Sequence, residues 1–188
     1  MSIPQLDFPP VATATIRLHV NGHERTLEVE PRTHLADALR EQCGLTATHL
    51  GCEHGVCGAC TVEVDGAPQR ACLQSATRFV GRSVRTLEAF DDDPVMAMLR
   101  DAFSAEHALQ CGYCTPGMLM TARDIVLRLP EADEARIREE LAGNLCRCTG
   151  YVGIVRAIER VLAARGPGAA GSGAVAGATA RAGAGDAA

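Results

Sequence analysis

Leu50-Gly51-Cys52-Glu53-His54-Gly55-Val56-Cys57-Gly58-Ala59-Cys60 places three cysteines and three glycines within eleven residues. With Cys72 added, the spacing is C-x4-C-x2-C-x11-C. Thiols this dense, interspersed with glycines, describe a loop wrapped around a small metal centre that sulfur binds. Three thiolates converging on one core force a tight wrap. Gly51, Gly55 and Gly58 are expected to supply the positive φ angles and the missing Cβ bulk that such a wrap needs.

The spacing is the one with which plant-type ferredoxins hold a [2Fe–2S] cluster through four thiolates. Further along, Cys111-Gly112-Tyr113-Cys114 and Cys146-Arg147-Cys148 bring a second set of four, so eight of the nine cysteines divide into two quartets. Two clusters in one chain imply electron transfer.

Upstream of the loop, Ile16, Leu18 and Val20 alternate with polar residues, Asn21-Gly22 follows, and Leu27 and Val29 alternate again. Asn-Gly is the preferred pair for a two-residue type I′ turn, so this is a β-hairpin. From His34 to Cys43 the apolar residues Leu35, Ala38 and Leu39 recur at helical spacing, with Gly44 placed as a C-terminal cap. Cys43 shares that apolar face and reads as a core thiol rather than a ligand. Beyond the loop, Val62 and Val64 alternate with Thr61 and Glu63, and Asp65-Gly66 turns the chain back toward Cys72. Two hairpins flanking one helix predict a small mixed sheet packed on a helix, the layout of the β-grasp ferredoxin.

Past Thr86 the period becomes helical. Asp91-Asp92-Asp93-Pro94 opens one helix, Thr115-Pro116 a second that Pro130 stops, Asp133 a third that ends near Gly143, and Tyr151 a fourth that runs to about Ala164. Each shows an apolar stripe, so the four form a bundle. Cys111/Cys114 and Cys146/Cys148 each precede the second helix of a pair, which predicts a pseudo-two-fold arrangement. Helix N-termini favour anions, and two such ends offset the negative charge of a thiolate-bound cluster. The chain is thus expected to be α+β, with residues 1–13 an N-terminal extension, 14–86 a plant-type ferredoxin domain and 87–165 a helical cluster-binding four-helix bundle. Residues 166–188, mostly Ala and Gly, form no core and are expected to be a disordered tail.

All 18 basic residues are arginine, the net charge is −5, and no basic stripe carries interleaved aromatics, which argues against nucleic-acid binding. The N-terminal stretch lacks the features of a secretion signal, and no apolar run approaches the ~20 residues of a membrane span. A cytoplasmic location follows as an expectation, and in that reducing compartment nine cysteines read as metal ligands rather than disulfides.

Other sulfur chemistries fit less well. Cys52-Glu53-His54 begins like a Rieske loop, but the partner half needs C-x-x-H and the chain offers Cys57-Gly58-Ala59-Cys60; His54 reads as a solvated loop residue. Structural zinc pairs one C-x2-C with another spaced pair, whereas Cys72 stands alone and Cys146-x-Cys148 is too close. A thioredoxin-like dithiol leaves the remaining cysteines unexplained. A zinc-stabilised interaction module and a free two-cluster ferredoxin remain the alternatives to an electron-transfer subunit. No Ser/His/Asp set or carboxylate pair stands out, so any catalysis lies on another chain.

Three segments in order, GCEHGVCGACTVEVDG, QCGYCTPGM and NLCRCTGY, resemble the small iron–sulfur subunit of the molybdenum hydroxylases, the xanthine dehydrogenase, aldehyde oxidoreductase and carbon monoxide dehydrogenase group. The resemblance spans about Thr15 to Leu162. It implies that Cys52, Cys57, Cys60 and Cys72 hold an outer [2Fe–2S] cluster near a flavin, and that Cys111, Cys114, Cys146 and Cys148 hold an inner one near the molybdenum cofactor. It implies also that Gln110 and Cys148 contact the pterin of that cofactor. The partners it implies are a large molybdenum-cofactor subunit and a medium FAD subunit, assembled as a dimer of heterotrimers. Electrons would run from molybdenum through both clusters to FAD.

Overall fold

The computed structural model describes residues 11–166. The expected extension up to residue 10 and the expected tail beyond Gly166 lie outside the described residues.

The first lobe is a five-stranded mixed sheet in the order β2-β1-β5-β3-β4. Strands β1 (Ala14–Val20) and β2 (His23–Val29) form the predicted hairpin, with Ile16 opposite Leu27 and Asn21 and Gly22 at φ of 53° and 80°. Both turn residues are left-handed, as a type I′ turn requires. The second hairpin repeats this: β3 (Thr61–Val64) and β4 (Ala67–Arg70) are joined by Asp65 and Gly66 at φ of 49° and 83°. A short strand β5 (Ser83–Arg85), which the alternation of apolar residues did not reveal, closes the sheet between β1 and β3. Three residues are too few for a visible period.

The predicted helix over 34–43 forms in two parts, a single α turn α1 (Leu35–Asp37) and a wider π turn from Ala38 to Gln42. Leu35 and Leu39 are wholly buried under the sheet with Leu18, Val62 and Phe79. Cys43 packs at the edge of this core and is half-buried, less enclosed than expected.

Four helices make the second lobe: α2 (Pro94–Ala105), α3 (Thr115–Arg128), α4 (Glu134–Glu140) and α5 (Val152–Arg165). Asp93 and Asp133 cap α2 and α4 through hydrogen bonds from Met96 N and Arg136 N, each 2.8 Å. Phe103, Met118, Ile125, Ile137 and Ile154 are buried at the centre of a second core. No helix among the described residues is long and apolar enough to cross a membrane.

Strand β3 departs from the expected alternation. Thr61 and Glu63, on the face that sequence assigns to solvent, are buried along with Val62 and Val64. Helix α3 covers that face, so the two lobes share β3 as a common wall. Glu63 is accommodated there by charge: Arg123 of α3 donates to Glu63 Oε2 (3.0 Å) and to Asp93 Oδ2 (2.7 Å), while Arg85 donates to Glu63 Oε1 (3.2 Å). The two guanidinium groups also lie on the ring of Phe90, 3.9 Å (Arg85) and 4.5 Å (Arg123) from its centroid. Paired and stacked in this way, the buried charges are each satisfied.

Burial by itself would raise the Asp93 pKa, but the hydrogen bonds from Arg123 and Met96 N and the charges of Arg123 and Arg85 outweigh it and hold the carboxyl below its ordinary value. A depressed carboxylate contributes stability that is complete above its unfolded pKa of about 3.9 and is lost as pH falls through the folded value. Arg123→Met leaves Glu63 and Asp93 buried without a shared cation, which is expected to cost about 3–5 kcal/mol in urea unfolding at neutral pH. The same variant should unfold in acid at a higher pH than the wild type, since burial then dominates at Asp93; circular dichroism against pH measures this.

Candidate metal centres

The first cysteine set sits in the loop between the π turn and β3, closed by Cys72 just after β4. Its wrap is made by left-handed residues, but not the three expected: Gly55 and Gly58 have φ of 75° and 74°, and the third is Glu53 at 53°. Gly51 matters through its missing side chain, because a Cβ there would lie 3.1 Å from Cys57 Sγ. Cys52 Sγ accepts from His54 N and Cys57 N, both at 3.4 Å. These N–H groups, Cys57 first and His54 next, stabilise the thiolate and bring the Cys52 pKa down to about 6. Cys72 is pushed the other way, to about 11, by burial and then by the adjoining thiol of Cys60. The four sulfurs thus converge as two neighbouring pairs, Cys52 with Cys57 and Cys60 with Cys72. His54 is exposed and turns its ring Nδ1 to Cys52 O, away from any ligand role.

The second set forms at the same end of two helical connections. Cys114 immediately precedes α3, and Cys148 lies three residues before Tyr151, which immediately precedes α5. Cys111 and Cys148 have their sulfurs 3.5 Å apart and are exposed. Cys114 and Cys146 form a second, half-buried pair. Burial, then the Cys146 thiol beside it, pushes Cys114 up to about 12. Burial also opposes ionisation of Cys146, but the Thr149 hydroxyl and the N–H groups of Thr149 and Cys148 outweigh it and lower its pKa.

Both sets offer sulfur alone, arranged two and two. Paired sulfurs suit a binuclear centre in which each iron takes two cysteines. Burial that disfavours the free thiolates of Cys72 and Cys114 is relieved when a cationic metal core binds them, because coordination removes the thiol proton outright. The residues present therefore fit two [2Fe–2S] clusters.

The two sites are joined by backbone. Cys57 O accepts from Leu145 N at 2.8 Å, so the loops carrying Cys57 and Cys146 touch directly. Gly117 approaches so closely that a Cβ on it would lie 2.2 Å from Gly58 O. Asn144, 2 % exposed, fills the centre of this junction. Its Nδ2 donates to Gly58 O (3.4 Å) and Gly117 O (3.2 Å), while its Oδ1 accepts from Arg70 (3.1 Å) and Thr121 (3.1 Å). A primary amide has two donors and two acceptor positions, and all are used. Tyr113 adds a bond on the rim, donating from its hydroxyl to Leu50 O at 2.5 Å. Sequence reasoning missed Asn144 and Tyr151 although both stand in the NLCRCTGY segment, since nothing in the spacing separates a buried amide from a loop one.

Comparison with known proteins agrees with this geometry. Residues 18–84 match the model of a 2Fe-2S iron-sulfur cluster binding domain, and residues 86–159 that of a [2Fe-2S] binding domain. Caffeine dehydrogenase subunit gamma of Pseudomonas sp. (strain CBB1) is 49 % identical over 154 residues, 80 % of this chain and 92 % of that one. Nicotine 6-hydroxylase small subunit of Paenarthrobacter nicotinovorans is 48 % identical over 149 residues, 79 % of this chain and 90 % of the other. Among solved structures, quinoline 2-oxidoreductase from Pseudomonas putida 86 superposes with a TM-score of 0.76 at 49 % identity, covering 81 % of this chain and 95 % of the matched one. The chain belongs to the small [2Fe–2S] subunits of the molybdenum hydroxylases. The subunit is accordingly an iron–sulfur electron-transfer component of a multi-subunit oxidoreductase, and the zinc and free-ferredoxin readings give way to it.

Gly117→Ala forces a methyl into the carbonyl of Gly58 and is expected to separate the loops, lowering the iron bound per subunit at both sites. Asn144→Ala removes the amide that ties Gly117 O and the buried Thr121 hydroxyl to the junction, while Gly58 O keeps Thr61 as donor, and should cost about 1–3 kcal/mol in urea unfolding. Iron analysis and denaturation on the same preparations check both.

Proposed function

We propose that Cys52, Cys57, Cys60 and Cys72 hold the outer cluster and Cys111, Cys114, Cys146 and Cys148 the inner one, within lobes that divide at 86/87. When bound, the clusters supply one-electron relay between a molybdenum cofactor on a large subunit and FAD on a medium subunit, in a complex assembled as a dimer of heterotrimers. The observation that carries this reading is the junction at Asn144, which fastens the outer loop to both inner loops with main-chain and amide hydrogen bonds and no intervening bulk.

The surface supports two partners. Val56 and Leu73, 61 % and 57 % exposed, flank the outer loop, while Tyr113 and Leu145 stand exposed beside the inner one. Apolar residues gathered around electron-carrying sites are suited to burial against neighbouring subunits. At the inner site the exposed pair Cys111 and Cys148 marks the edge nearest a partner, and Gln110 Nε2 donates to Cys148 O at 3.1 Å across it. Gln110 is exposed in the subunit alone, where its amide is placed to meet the mixed donor and acceptor edge of a pterin once the large subunit docks. Cysteines given to clusters rather than to disulfides are in keeping with a reducing compartment, and we place the complex in the cytoplasm. The relatives named above act on caffeine, nicotine and quinoline, all nitrogen heteroaromatics, and we place the substrate of the complex in that class, with its pocket on the large subunit.

The isolated complex is expected to carry about four iron and four acid-labile sulfide per small subunit, as two cysteine-bound [2Fe–2S] clusters require. In Cys57→Ser the heteroaromatic substrate should still reduce molybdenum and the inner cluster while FAD stays oxidised; FAD reduction at the wild-type rate in an assembled variant reverses the assigned order. Gln110→Ala should retain both clusters but slow reduction of the inner one or weaken retention of molybdenum. Full molybdenum with unchanged inner-cluster reduction removes the pterin assignment.

A further inference from the structure

Each half of the inner site ends in the same dipeptide, Cys114-Thr115 and Cys148-Thr149. The two hydroxyl protons share a second property: neither is given to a backbone carbonyl of its own helix or loop. Thr149 Oγ1 lies 3.1 Å from Cys146 Sγ and also accepts a hydrogen bond from Tyr151 N at 3.2 Å. A threonine hydroxyl has one proton and two lone pairs. Tyr151 N–H occupies a lone pair, and a metal-bound thiolate has no proton to give, so the bond to sulfur runs from the Thr149 O–H to Cys146 Sγ.

The loop around Thr149 is held rigidly enough to keep that bond aimed. Tyr151 takes a left-handed φ of 69°, an uncommon conformation for an aromatic residue. Its ring hydroxyl donates to Asn144 O at 3.0 Å and accepts from Cys146 N at 2.9 Å. The ring thus fastens both sides of the turn that carries Thr149. In the other half, Thr115 Oγ1 is shut off from solvent and finds no hydrogen-bond partner among the described residues. A buried hydroxyl left without a partner is destabilised relative to one that is paired. An acceptor supplied by the bound centre, which is rich in sulfur, removes that destabilisation.

We infer that Thr149 and Thr115 are positioning residues that hydrogen-bond to the sulfurs of the inner centre and hold its reduction potential up. Reduction adds negative charge to a cluster, and O–H donors at its sulfurs stabilise the reduced form. The inference rests on Cys111, Cys114, Cys146 and Cys148 being the inner ligands.

The test is an EPR-monitored redox titration of the purified complex, with the outer couple identified as the one lost in Cys57→Ser. Thr149→Val and Thr115→Val should each move the inner midpoint to more negative potential, leave the outer one in place, and retain full iron. Thr149→Ser and Thr115→Ser should restore the wild-type value. An inner couple that stays in place in a loaded Val variant overturns the role of that threonine. Tyr151→Phe loosens the turn that aims the Thr149 hydroxyl and should lower the inner couple too; if Thr149→Val lowers the couple as much again in the Tyr151→Phe background as in the wild type, the two act independently and the aiming role of Tyr151 falls. Should a Val variant fail to retain iron, the Ala variant, which removes the hydroxyl and adds no branched methyl, takes its place in the titration and is read the same way. Wild-type complex without two iron–sulfur couples refutes the ligand assignment itself, a result distinct from any of these.

Discussion

The close approach of Gly117 to the carbonyl of Gly58 is the constraint on which the two-site architecture depends. Two folded lobes with separate cores normally meet through side chains, which keep their backbones well apart. Here the first turn of α3 lies against the cluster loop itself, which is possible because residue 117 lacks a Cβ, while the missing Cβ of Gly58 makes room for Gly143 O and the Asn144 side chain. The bare backbone so buried needs hydrogen-bond partners: Thr61 donates to Gly58 O, and Asn144, from the loop that delivers Cys146 and Cys148, bridges Gly58 O and Gly117 O. Packing and polar satisfaction are solved by the same small set of atoms.

Around this junction the electrostatics is consistent. Strand β3 must be a shared wall if the lobes are to meet so closely, and a shared wall buries Glu63. Arg123 and Arg85 answer that charge, and Phe90 stacks with both guanidinium groups. Burial of this kind rarely adds net stability over an apolar substitute, but it penalises any other register of α3 against β3, since a shift strands a charge in the interface. Specific docking is what an electron-transfer protein with two sites needs, because the separation of the sites follows from the register of the lobes.

The thiols show how one residue type is given different roles by its surroundings. Cys52, crowded by backbone N–H groups, ionises readily; Cys72 and Cys114, enclosed and flanked by other thiols, resist it.

The sequence by itself determined the two cysteine quartets, both Asx-Gly hairpin turns, the helices beginning at Pro94 and Glu134 with their aspartate caps, the helix beginning at Thr115, and the family to which they belong. These features are local: a turn needing two left-handed residues, a cap needing an oxygen, a loop needing sulfur at fixed intervals. What only the tertiary structure decided is non-local. Val62 and Thr61 look like the inside and outside of one strand, yet both are buried, because the helix covering Thr61 is more than fifty residues away in the chain. Glu53 rather than Gly51 takes the third left-handed position of the loop, since Gly51 is needed where Cys57 sulfur passes close by. Asn144, Thr149 and Tyr151 read as ordinary polar residues until the fold brings Gly58, Gly117 and Cys146 to them. Hydrogen-bond partners between distant segments leave no period or spacing in a sequence; they exist only once packing has brought the segments together.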